Sequence, residues 1–206
     1  MSATLATAFP STLRPSLVTA LEEMPRATHP PVGSIASTTS RDWSPVVVRG
    51  EPVEVPHRIY HPVPAGRRFA DDTATGLAIT CLYTRHSDGH VRQAALRHVL
   101  DRAEQPWTVP FVLQLLGEYV VEICEDIELF AATRLEDRPG WAGNVREFGD
   151  ENVDFVALTR QRALSYWQCY HRHRYPSPAS YPGLRAPPIN RSIARRPGYE
   201  AGDGYR

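Results

Sequence analysis

The tract LSYWQCYHRHRY, residues 164–175, gathers the densest set of reactive side chains in the chain: one thiol, two imidazoles and two guanidiniums between Cys169 and Arg174. Cys169, His171 and His173 are zinc-ligand types, but residues two apart on a helix diverge by about 200° around its axis, so the three cannot close on one ion while helical. No metal is expected there. A second group, Glu118, Glu122 and Glu125, repeats at helical spacing like the carboxylates of di-iron bundles. Such sites also take Glu-x-x-His pairs from neighbouring helices, and none lies within the helical patterns of this chain, so a solvated acidic face is expected. There is no Gly-x-Ser-x-Gly elbow and no Gly-x-Gly-x-x-Gly dinucleotide fingerprint. All 23 basic residues are arginine. With no lysine, the phosphate-cradling Gly-Lys-Ser/Thr loop and Schiff-base catalysis are both excluded. No cofactor is expected. The histidines at 57, 61, 86, 90 and 98 are scattered, and only a fold that drew some of them towards carboxylates would make an enzyme of this chain.

Binding chemistry is better represented. Trp167, Tyr170, Arg172 and Arg174, with Arg160 and Arg162, interleave aromatic and cationic groups in a way that could stack and neutralise a single-stranded nucleic acid. The plainer expectation is a buried aromatic stripe with a solvated basic flank. Formal net charge is zero, so no global field draws the protein to nucleic acid or acidic membranes. Locally the charges separate: residues 101–158 carry 13 acids against 4 arginines, and residues 159–206 carry 9 arginines against 2 acids. Either the basic C-terminal part lies beside the acidic helix in one fold, which is the expectation here, or each face awaits an outside partner. Asp126 and Arg162 each fall on an otherwise apolar helical arc and are expected to pair, since an unpartnered buried charge costs several kcal/mol.

The elements that would carry these residues follow from proline and from periodicity. Ten of the 19 prolines lie in residues 1–64 and six in 176–206, and each removes an amide donor and biases its predecessor away from helix. Both flanks therefore read as tails: residues 1–69 proline-rich and largely irregular, residues 176–206 disordered. Within the first, Pro15–Met24 allows one short helix with Leu17, Leu21 and Met24 on a face. Residues 46–63 suggest extended or polyproline chain strapped over the core, with a small hairpin as the alternative. Between 70 and 175 the texture is helical. Helices are expected at about 71–85, 90–104 (capped by Ser87 or Asp88), 108–135 and 152–174, with a Gly- and charge-rich loop over 136–151. In the third, Val112, Leu115, Leu116, Tyr119, Ile123, Ile127 and Phe130 share the arc that must be buried. In the fourth, Phe155, Leu158, Thr159, Tyr166, Cys169 and Tyr170 do so. Cys81, Cys124 and Cys169 read as reduced core thiols.

The segment DGHVRQAALRHV, with Asp88, Val91, Arg92, Ala95 and Val99 at the usual offsets, resembles the second helix of a HEAT-type repeat, and residues 72–104 together resemble one repeat unit. In that family the aspartate and arginine bridge neighbouring repeats, and stacked helix pairs present a surface to protein partners. No second copy occurs at a period of 30–50 residues, and a solenoid needs about three. The C-terminal helical tract is also similar to blocks in actinobacterial proteins, a likeness that brings no activity with it. The expectation is thus an all-α protein, a small bundle or HEAT-like helix-hairpin array of about four helices. Its expected role is non-enzymatic protein interaction through Glu118, Glu122 and Glu125 or the Trp167–Arg174 region, with nucleic-acid binding by the basic C-terminal third as the alternative. No apolar run approaches the length needed to span a bilayer and no secretory signal stands out in the first twenty residues, so a cytoplasmic location without membrane contact is expected.

Overall fold

A computed structural model describes residues 5–27, 45–63, 73–102 and 104–186, and these are predominantly helical. The expected short N-terminal helix forms as α1 (Arg14–Glu22), with Pro15 in its first turn, where a missing amide costs nothing. Leu17, Leu21 and Met24 are buried, as is Phe9 ahead of the helix. The phenyl ring of Phe9 stacks on Phe111 at 5.2 Å and meets Trp107 edge-on at 5.5 Å.

Of the two readings of residues 46–63, the hairpin forms. β1 (Val46–Val48) and β2 (Glu51–Val53) pair antiparallel around Arg49-Gly50, whose φ values of 51° and 79° are the left-handed pair that a two-residue hairpin turn requires. The chain then straps across the centre. Ile59 N donates to Arg85 O and Ser87 N donates to Ile59 O, a short parallel bridge onto the first helical hairpin.

That hairpin consists of α2 (Ala74–Tyr83), capped by the Thr73 hydroxyl accepting from Gly76 N, and α3 (Gly89–Arg102), where the Asp88 carboxylate accepts from His90 N. A 3₁₀ turn at Pro106–Thr108 leads into α4 (Val109–Leu115). The single helix expected over 108–135 is broken: α4 stops, residues 116–120 turn, and α5 (Val121–Arg134) starts anew from an extended Val120. Gly117 lies in the break, where a β-carbon would stand 3.3 Å from Thr159 O and 3.4 Å from Thr159 Cα, so the chain approaches its neighbour closely and a side chain there would press on it by a few tenths of an ångström.

The expected loop over 136–151 is instead α6 (Pro139–Glu151). It opens with a proline and buries Trp141, Asn144, Val145 and Phe148, a helical spacing that the surrounding glycines and charges had masked. With α1 and α6 present, the helices exceed the expected four. α7 (Val153–Tyr166) carries on into a π-helical turn, Trp167–His171, so Cys169 and Tyr170 leave the expected inward arc for the surface. Cys81 and Cys124 are buried as expected. Residues 176–186 are not a loose tail: a 3₁₀ turn at Pro178–Ser180 and a short α8 (Pro182–Arg185) bury Tyr181, Leu184 and Ala186. The core accordingly reaches from Leu5 to Ala186, and the remaining expected tail lies outside the described residues.

Candidate functional site

The turn at residues 116–120 points two adjacent side chains in opposite directions, and each organises one half of the site. Glu118 turns inward. Its Oε1 accepts from Arg85 Nη2 at 2.6 Å and from Arg58 Nη1 at 2.8 Å, while Arg92 Nε lies 2.9 Å from Oε2 in an ionic contact that is not aligned as a hydrogen bond. Arg85, Arg92 and Glu118 are buried, and Arg58 retains 17% of its side-chain exposure. Each arginine also binds backbone. Arg85 donates to Pro56 O and His57 O, Arg58 to His57 O, and Arg92 to His86 O and Ser87 O. The cluster thereby fastens the strap and the α2–α3 turn to the break between α4 and α5. Arg92, which the repeat resemblance would place between repeats, works here inside one fold.

These contacts set the ionisation states. Burial alone would raise the Glu118 carboxyl, but Arg85, Arg58 and Arg92 outweigh it and hold its pKa below the usual carboxylate value. Burial lowers Arg85 to about 10 despite Glu118, which leaves it charged at neutral pH. Burial, then Arg58 and Arg85, lowers His57 to about 4, so its ring is neutral beside the cluster. A carboxylate stabilised in its ionised form is a weak base, and Glu118 is poorly suited to general acid–base work at neutral pH.

Tyr119 turns outward. Its ring lies over the Arg92 guanidinium, whose carbon is 5.8 Å from the ring centroid, and it remains 52% exposed. It therefore departs from the buried arc on which periodicity placed it. Tyr166 follows at 6.3 Å between ring centroids, and Tyr170 follows Tyr166 at 6.2 Å with 63% exposure, so three rings form a ledge along the end of α7 and the π turn. His171 anchors the ledge. Its Nε2 is 3.2 Å from Tyr119 O, and its ring stacks on Tyr181.

The remaining expected site residues divide between surface and fold. Glu122 is exposed, as a solvated acidic face requires, whereas Glu118 is buried and corrects that expectation. The turn, which a continuous helix lacks, is the physical reason. Glu125 is engaged by Arg174 Nη2 at 2.6 Å and by the Tyr175 hydroxyl, and Glu128 by Arg185 at 3.0 Å. Part of the basic C-terminal region thus lies beside the acidic helix. Trp167 is half-buried, donating from Nε1 to Tyr175 O, with the exposed Arg172 over its ring at 6.0 Å. Asp126 accepts from Gln93 and from Arg97, both on α3, and not from Arg162. Arg162 instead packs beside Gly117 and lies near enough to His57 to depress its pKa. α5, freshly started after the turn, presents Asp126 to α3 rather than to α7.

Among the described residues no group of His, Cys, Asp and Glu is arranged to hold a metal ion, and no helix is long and apolar enough to cross a membrane. Comparison with protein-family models, with curated proteins and with solved structures finds no significant match.

Proposed function

We propose that this protein is a non-enzymatic interaction module whose partner, another protein, docks on the Tyr119–Tyr166–Tyr170 ledge. The observation that carries the reading is the ledge itself. Two of the most exposed large hydrophobic side chains, Tyr119 and Tyr170, flank Tyr166 in one continuous array, and the Tyr119 ring is backed by the buried Arg92. Rigid aromatic groups with a polar tip supply much of the energy of protein interfaces, because little side-chain freedom is lost when they are covered. The buried Arg–Glu cluster fits the same reading, since it fixes the turn that presents Tyr119. The resemblance of residues 72–104 to one helical-repeat unit is in keeping with a binding role.

The same ledge, with Arg172 beside it, also has the composition that stacks single-stranded bases. One experiment separates the two. The full chain and a Tyr119→Ala/Tyr170→Ala variant are used as bait in affinity purification from the native host, with and without nuclease. The interaction reading expects a co-purifying protein that survives nuclease and is lost with the double variant, each truncated anchor costing upwards of about 1 kcal/mol. Recovery that disappears with nuclease supports the nucleic-acid reading instead, and recovery indifferent to the tyrosines removes the ledge from both.

A further inference from the structure

The seam where the strap crosses the α2–α3 turn carries three histidines, His57 and His61 on the strap and His86 on the turn, each half-buried. Each holds its Nδ1 where a proton is unwelcome. His86 Nδ1 accepts from Asp88 N at 3.0 Å, which only an unprotonated nitrogen does, and the same ring hydrogen-bonds to the backbone of His61. A proton on that nitrogen would set donor against donor. His57 Nδ1 and His61 Nδ1 are buried and have no hydrogen-bond partner, so a proton on either would create an N–H with no acceptor, out of reach of water.

Charge works in the same direction. The His57 carbonyl accepts from Arg58 at 2.8 Å and from Arg85 at 3.0 Å, and the charged groups that act on its ring are Arg58, Arg85 and Arg162 against the one acid Glu118. His61 faces His86. His86 faces His61, the acid Asp88, and Arg92, which binds the His86 carbonyl at 2.8 Å; the exposed His90 stands on the far side of Asp88. Protonating the three rings therefore adds cations to a seam already rich in them. The strap is lightly fastened. Among the described residues its backbone meets the turn through Ile59 N to Arg85 O and Ser87 N to Ile59 O, and the rest of the grip is side-chain: Arg85 on Pro56 O and the Tyr83 hydroxyl on Pro62 O. A segment held by so few bonds opens at a lower free energy than the core helices.

We propose that the strap, residues 54–63, is an acid-released clasp, which lifts from the α2–α3 turn as His57, His61 and His86 take up protons while the helical core stays folded. The rings gain their protons once the strap has lifted, so acid acts by stabilising the open form. Burial is the largest cause holding all three below their ordinary value, and the open state therefore binds more protons and gains population as pH falls. Asp88, held low by the His90 amide, and Glu118, held low against burial by its arginines, stay ionised through this range. The clasp goes beyond the docking role of the ledge and is read at residues outside it.

Native-state hydrogen exchange of the full chain between about pH 7.5 and 5 tests this. It is read at the Ile59 and Ser87 amides and, for comparison, at the Val99 amide inside α3, each corrected for the intrinsic effect of pH on exchange. Ile59 and Ser87 should exchange through an opening far more frequent than that of Val99. Below about pH 6.5 its equilibrium constant should rise by about one to three decades per unit fall in pH, since each histidine that gains a proton on opening adds about one. His86→Asn offers the Asp88 amide an acceptor that does not titrate and lowers that slope by about one decade; His90→Asn, on the exposed side of Asp88, leaves it unchanged. If His86→Asn does not fold, His61→Gln reports the same loss, and the slope of the parent protein stands without either. An opening constant at Ile59 and Ser87 that ignores pH, exchange of those amides only together with Val99, or a slope that neither variant lowers would each overturn the proposal.

Discussion

At the scale of single residues, His57 sets how the protein responds to acid. Burial and the adjacent Arg58 and Arg85 lower its pKa from 6.5 to about 4, so the folded state holds the ring neutral at pH values where the unfolded chain has taken up a proton. The unfolded state binds more protons in that window, and stability therefore falls as pH drops from about 6.5 towards 4. His61, His86 and His98 are shifted in the same direction, each with burial as the largest cause, and add to the slope. Glu118 acts at lower pH: its pKa is depressed, so its stabilising contribution is present above the unfolded carboxylate value and is lost as pH falls through the folded one. Urea midpoints measured between pH 7.5 and 4.5 should decline steadily, and His57→Asn should flatten the decline above pH 5. A midpoint that holds constant to pH 5 in the parent protein would remove His57 from this role.

At the scale of elements, the hairpin depends on one side chain. Asn152, between α6 and α7, accepts from Val47 N at 2.7 Å and donates to Val47 O at 2.7 Å, so it occupies the edge of β1 as a third strand would. Glu151 meets the Arg49 and Gly50 amides at the turn. Asn152→Ala leaves both groups of Val47 unpaired in a largely buried setting, and should cost about 1–3 kcal/mol. Hydrogen exchange should then show early opening of Val46–Val53 while α3 stays protected; unchanged exchange at Val47 would count against the contact. Asn152 was not readable because its partner lies about a hundred positions away and leaves no local signal, and the hairpin, although local, came second to extended chain because a proline such as Pro52 argues against a strand. Where structure is local, the sequence was readable. The spans of α1, α2 and α3, the Asp88 cap and the buried faces of Leu17 and Leu21, and of Ala95 and Val99, all follow from periodicity and capping. The break at Gly117 was not readable, since the apolar period runs through it and the close approach to Thr159 that accompanies it leaves no local signal. Missing that break misplaced Glu118, Tyr119 and Asp126, which are the residues from which the site is built.

At the scale of the whole molecule, charges and apolar faces that look segregated along the chain are reconciled by packing the flanks onto the centre. The C-terminal arm lays Arg174 and Arg185 on Glu125 and Glu128, and Gly183 lets α8 press against Leu116 O, where a β-carbon would stand at 3.1 Å. The N-terminal arm inserts Phe9 between Trp107 and Phe111, at the start of the helices that lead to the turn carrying Glu118 and Tyr119. Since the main apolar core takes in residues from Leu5 to Ala186, and Tyr181 and Leu184 pack in a second, smaller cluster with Val121 and Ala163, the flanks are part of the folding unit and not attachments to a finished domain. Phe9 offers the sharpest check because it lies far outside the helical centre yet is fully buried. Truncating a buried phenylalanine costs about 3–5 kcal/mol through lost transfer energy and the cavity left behind. Phe9→Ala should therefore lower the urea midpoint of the whole protein, with tryptophan fluorescence and far-ultraviolet circular dichroism still tracing one coincident transition. If the variant instead melts in two steps, or keeps the parental midpoint, then the N-terminal arm folds onto a centre that is already stable without it, and the turn bearing Glu118 and Tyr119 does not depend on the flanks.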